Sequence, residues 1–208
     1  MPIEPLGQNA EPFPSITASQ LPEEDRELGR TLLAGLYQLH LTSYRFFRDV
    51  ELLDHLGDLL NASAMNETSD DQFGRLIAWC TVPARDAVFQ VYHFHGALAG
   101  ISKSVRQMIS FGQPFDQRYL APSRATFRTK FPHWKTLRDT IGHSGEIGSG
   151  AQPPKEATGL KGYRLSGRTI GIVAGGRAME MDVALESLEH LSAVRSEQYR
   201  AFNAHFGK

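Results

Sequence analysis

The chain has 208 residues, enough to close a sizeable core, with 41% hydrophobic and 22% charged residues, an ordinary globular balance. Lys and Arg number 22 against 23 Asp and Glu, a formal net charge of -1, which excludes a protein that coats nucleic acid through a general basic excess; any RNA contact must be local. The single cysteine, Cys80, excludes an internal disulfide, and no apolar run approaches the roughly 20 residues needed to span a bilayer, so a soluble, cytoplasmic chain with no membrane partner is expected.

Residues 1–20 hold four prolines and no periodicity, which predicts an extended N-terminal arm without apolar anchors, ahead of one helical domain over 21–208. A helix is expected from Pro22, with Glu23, Glu24 and Asp25 near the positive end of its dipole and Leu28, Leu32, Leu36 and Leu39 as its stripe. A second helix is expected from about Ser43, carrying Phe46, Val50, Leu53, Leu56 and Leu60, with 61–69 a polar connection. A third helical region begins near Asp70 and meets Pro83, which must start a new helix or kink a continuous one.

Beyond Pro83 the pattern is the cleanest in the chain. Ala87, Val91, Phe94, Leu98, Ile101, Val105 and Met108 are spaced four and three apart, as a buried seam requires. Phe111-Gly112-Gln113-Pro114 ends it. A fourth helix follows Pro122 with Phe127, Phe131, Trp134 and Ile141, restarts at Pro132, and ends at Gly142-His143. Residues 144–161 hold almost nothing apolar and read as a flexible loop. Segments 163–165, 168–173 and 177–183 alternate at period two and are separated by glycines, so a small antiparallel hairpin or three-stranded meander is expected there. Asp182 is placed to cap a last helix through Leu185, Leu188, Leu191, Val194, Tyr199 and Phe202. The fold class is therefore mainly α: an antiparallel bundle of four to five long helices, with a β hairpin or meander inserted before the C-terminal helix.

Chemistry concentrates in Leu137-Arg138-Asp139-Thr140-Ile141-Gly142-His143. Arg138 is a fixed cation suited to phosphate, His143 a proton carrier near neutral pH, and Asp139 a carboxylate four residues from His143 on the same helix face. The plain alternative is a helix terminus: His143 complements the dipole and Arg138 pairs with a neighbouring helix. Arg85, early in the long helix, could join a phosphate site if that helix packs beside the Arg138 helix; Asp86 in the same turn reads as a dipole partner. His93 and His95 lie about 200° apart on a helix and make a poor metal pair, so no metal site is expected. Cys80, among Ile77, Trp79 and Val82, reads as a buried apolar residue. Gly167, Gly171, Gly175 and Gly176 are turn residues, not a phosphate loop. Arg164, Arg168 and Arg177 on the hairpin suit RNA contact or a solvated strand face equally.

The arginine–histidine segment resembles the Arg-x(4–6)-His signature of the HEPN superfamily. So does its setting: antiparallel helices, the pair ending the helix before last, then a hairpin and a closing helix. Further echoes are Ala84-Arg85-Asp86-Ala87, Tyr92-His93-Phe94, and Phe131-Pro132-His133-Trp134-Lys135-Thr136-Leu137-Arg138-Asp139. The layout is similar over residues 20–206, to a branch of bacterial HEPN-like proteins of which some are associated with abortive infection, a phage defence. The resemblance implies a protein that acts on RNA or binds RNA or a nucleotide, homodimeric through the motif helices. Its catalytic form would be a metal-independent endoribonuclease, without cofactor, in which His143 is acid and base, Asp139 orients it, and Arg138, with Arg85, clamps phosphate. HEPN ribonucleases often carry asparagine directly after the arginine; here Asp139 stands there, and its charge opposes a phosphate. The alternative the family also implies is a non-catalytic interaction or regulatory module, paired with a partner protein in a defence or toxin–antitoxin system.

Overall fold

The computed structural model describes residues 11–65, 70–143, 163–174 and 177–206. The expected loop over 144–161 and the first ten residues of the arm lie outside them. The described chain is mainly α with one small sheet. Helix α1 spans Arg26–Met65 and α2 spans Asp70–Gln107. A short α3 over Gly112–Phe115 runs through a π-helical turn at Asp116–Leu120 into α4, Ala121–Lys130. Helix α5 covers Trp134–His143. Strands β1 (Tyr163–Ser166), β2 (Thr169–Ala174) and β3 (Arg177–Asp182) precede α6, Leu185–Phe206. Among the described residues no helix is long and apolar enough to cross a membrane.

Two expectations about the first helices are corrected. The break near Ser43 does not exist: α1 is continuous for 40 residues and runs to Met65, into the stretch 61–69 expected to be a connection. Ser43 is buried, and its hydroxyl bonds back to the Leu39 carbonyl at 2.8 Å while Thr42 does the same to Gln38, so these two polar residues satisfy themselves inside the helix. At Pro83 the continuous alternative is the one found, with the proline buried inside α2.

The chain divides into two compact units. Unit 1 takes residues 1–44, 93–130 and 186–208. Its core holds Leu32, Leu36 and Leu39 of α1, Phe94, Leu98, Ile101 and Val105 of α2, Phe127 of α4, and Tyr199 and Phe202 of α6, all essentially without solvent contact. At Gly35 the helices come so near that a Cβ would lie 2.7 Å from Ile101 Cγ1, which explains the glycine. The Tyr199 hydroxyl donates to the Leu36 carbonyl at 3.0 Å. Residues 11–21 are not without anchors, as the composition suggested. Ile16 and Leu21 are buried, Phe13 packs edge-on against Tyr199, and Asn203 donates to Glu11 at 2.9 Å. Asp25, expected as a dipole partner, instead reaches the end of α2: its carboxylate accepts from the Ile109 and Ser110 amides and the Ser110 hydroxyl. Burial alone would push its pKa up, but these donors outweigh it and hold it below the ordinary carboxylate value.

Unit 2 takes residues 45–92 and 131–185. Phe46, Val50, Leu53 and Leu56 of α1 are buried, as are Leu137 and Ile141 of α5. The sheet is an antiparallel meander in the order β1-β2-β3, with Ile170 opposite Met181 and Ile172 opposite Met179. Helix α5 lies against β2 and β3. The β1–β2 turn needs Gly167, whose φ of 59° is left-handed. Asp182 is not a cap for α6: it ends β3 and accepts from the Thr169 hydroxyl at 2.6 Å, three residues before α6 begins.

Candidate functional site

Helix α5 restarts after Phe131-Pro132, where the proline ring disfavours the α conformation at the residue before it. Its buried side is Leu137, Thr140 and Ile141, and this fixes what the other positions do. Trp134 and Arg138, four residues apart, share a face and meet the same partner, Tyr92 of α2. The Tyr92 and Trp134 rings are 5.7 Å apart at 48°, and the Arg138 guanidinium lies 4.4 Å from the Tyr92 ring centroid. A cation over an aromatic face is held by the ring quadrupole, so Tyr92 fixes the plane of Arg138.

Arg138 Nη1 donates to Asp139 Oδ1 at 2.8 Å, and the two side chains are 34% and 31% exposed. That hydrogen bond, with the nearby negative charge, raises the guanidinium pKa further above its ordinary value. Arg138 Nε is buried and has no hydrogen-bond partner among the described residues. Asp139, expected to orient His143, thus has one oxygen engaged by Arg138. His143 is the last residue of α5; its side chain lies outside the described residues. Arg85 is half-buried on α2, seven residues before Tyr92 and so on the same helix face, about 10 Å away along the axis. The site therefore brings Arg138 and Asp139 together and sets them on an aromatic pair that the motif did not announce. Tyr92 was visible only as a residue of the resemblance and Trp134 only there and in the stripe of its own helix; their meeting required the fold.

Sequence reasoning also missed a carboxyl pair in unit 2. Asp49 of α1 is buried, and its pKa is pushed up to about 8, first by burial and then by the charge of Asp86 and a hydrogen bond with it. Gln90 donates to Asp86 at 3.2 Å, one turn along α2. At neutral pH the pair holds a proton that ordinary aspartates would have lost. Thirty-seven residues separate the two aspartates, so no local spacing signals them.

The remaining candidates are placed plainly. His93 is exposed, whereas His95 is half-buried and tilts on Phe127 at 5.5 Å. Among the described residues no cluster of His, Cys, Asp or Glu could hold a metal ion. Cys80 is buried, and burial raises its thiol pKa. Of the hairpin arginines, Arg164 pairs with Glu180 at 2.9 Å and Arg168 with Asp54 at 2.6 Å. Arg177 is exposed. No protein-family profile matches the chain, and neither a curated protein nor a solved structure matches it.

Proposed function

We propose that the chain is a HEPN-like protein that binds RNA or a nucleotide through a phosphate at Arg138. The observation that supports this most is the guanidinium itself, stacked on Tyr92 and one-third open to solvent. A planar cation whose orientation is already fixed loses little entropy on taking up an oxyanion. In the catalytic form of this reading His143 takes the 2′-OH proton, the 2′-oxygen attacks the adjacent phosphorus, and the 5′-oxygen leaves with a returned proton. That chemistry leaves a 2′,3′-cyclic phosphate and calls for no metal.

The Arg138–Asp139 pair favours a second reading, binding without cleavage. A carboxylate 2.8 Å from the cation cancels much of the charge a phosphate would feel. The protein would then serve as an interaction module, with a partner protein or a second copy, in a defence or toxin–antitoxin setting.

One experiment separates the two. Single-stranded RNA is incubated with the protein and a chelator, and binding and products are read together. Cleavage to cyclic-phosphate ends that is lost in His143→Ala, by about 10²–10⁴-fold, supports the enzyme. Binding without cleavage that falls roughly tenfold in Arg138→Ala and rises in Asp139→Asn supports the module. If neither substitution alters binding or cleavage, the Arg138 reading is wrong.

A further inference from the structure

Unit 1 contains a groove of about 380 Å³ between α2 and α4, apart from the residues of the α5 site. His95, Ser102, Lys103 and Arg106 line it from α2, and Arg124 and Arg128 from α4. Positions 95, 99, 102 and 106 advance by four, three and four, so one continuous face of α2 turns toward it; 124 and 128 do the same on α4. The α2 side extends about 16 Å along the helix axis, longer than a single phosphate.

Its charge is lopsided. The carboxylate that meets these cations is Asp116, fully buried beneath them. Arg124 binds it through Nη1 at 2.6 Å and Nη2 at 3.0 Å, and Arg106 through Nε at 2.7 Å. These donors, with Ser102, overcome the effect of burial and keep Asp116 ionised. Among the described residues one negative charge thus stands against four permanent positive ones, in a chain whose net charge is -1. Like charges gathered in one concavity raise the local potential and repel one another unless an anion joins them. His95 senses this: burial first, and then the charge of Arg128, lower its pKa. Asp116 also makes the site built rather than incidental, since it fixes Arg106 and Arg124, while Lys103 and Arg128 stand exposed at the rim. Phe127 beneath His95 is fully buried, so among the described lining residues the imidazole of half-buried His95 is the only ring, and the groove is dominated by charge.

We infer that the α2–α4 groove binds a short chain of linked phosphates, gripped by Lys103, Arg106, Arg124 and Arg128 over the buried Asp116. The phosphoanhydrides of a nucleotide or polyphosphate and the successive phosphodiesters of an RNA strand share this chemistry. The inference does not rest on Arg138.

Inorganic tripolyphosphate, orthophosphate and decauridylate are titrated into the full chain by calorimetry, with the His95 ring followed by NMR. Tripolyphosphate should bind roughly tenfold or more tighter than orthophosphate, with a strong salt dependence. Binding should raise the His95 pKa, as a nearby anion favours imidazolium. Lys103→Gln with Arg128→Gln, both exposed and outside the Asp116 ion pairs, should weaken binding about tenfold with the thermal midpoint unchanged. Arg138→Ala should leave it intact. Decauridylate that displaces tripolyphosphate, with the same sensitivity to the double substitution, assigns the site to an RNA strand; failure to displace assigns it to phosphoanhydrides. Absence of tripolyphosphate binding at low salt overturns the inference. So does binding that ignores the double substitution or leaves the His95 pKa unmoved.

Discussion

Asp49 makes a single residue report on the whole fold. Its carboxyl has an ordinary pKa of 3.8 and is raised to about 8 in the folded chain. The folded state therefore binds a proton that the unfolded state releases, so this group favours folding most below pH 4. That contribution is lost as pH rises, by up to about 1.4 kcal/mol per pH unit, until ionisation is complete above 8. Asp49→Asn should flatten the slope between pH 5 and 8 and stabilise the protein at pH 8, as read from urea midpoints. A slope unchanged by the substitution would show that Asp49 is ionised in the fold. At this scale the sequence was legible only where chemistry is local. Arg138 and Asp139 are adjacent and stand out together in the sequence, although Asp139, expected to orient His143, pairs with Arg138 instead. Asp49 with Asp86, and Arg106 and Arg124 with Asp116, are partners that only helix packing creates.

Among the elements, the long seam of α2 was the most legible, because seven apolar residues at helical spacing admit few other meanings. Ala87, Val91, Phe94, Leu98, Ile101, Val105 and Met108 are all buried. Phe94 stacks on Phe127 at 5.8 Å, 13° from parallel. Phe94→Ala and Leu98→Ala should each cost on the order of 3 kcal/mol in chemical denaturation, the sum of lost transfer energy and a cavity. Losses below about 1 kcal/mol at both would mean that the seam repacks without them. The meander was equally plain, since Ile170, Ile172, Met181 and Val183 sit on alternate positions and are buried. Continuity was harder to read. Thr42-Ser43 looked like a break because hydroxyl residues favour caps, yet inside a packed helix they bond to carbonyls three and four residues back. The opposite error occurred at Asp182, whose cross-strand bond to Thr169 competes with capping and wins.

For the molecule as a whole, the resemblance implies a homodimer through the motif helices. The α2 seam is buried in the chain's own core and offers no surface for it. Apolar side chains that remain open in unit 2 include Leu52, Leu59, Ile77, Trp79 and Val82. If the dimer forms, these are the side chains it would cover, since burial of such groups drives association. Sedimentation at micromolar concentration should then give twice the chain mass, and Trp79→Ser with Val82→Ser should return it to a monomer. A monomer in the parent protein removes the dimer from the proposal.

The division of unit 1 into three separated stretches has a consequence for how the protein is made. Synthesis is vectorial, and domains commonly fold as their residues emerge. Here the first stretch carries Leu36, whose carbonyl waits for the Tyr199 hydroxyl, and Phe13, whose ring waits for the same tyrosine. Until α6 has left the ribosome, that side of α1 has no cover, and its leucines are open to chaperones or to one another. Unit 1 completes its core only after 199 and 202 have been translated, and so after every residue of unit 2 already exists.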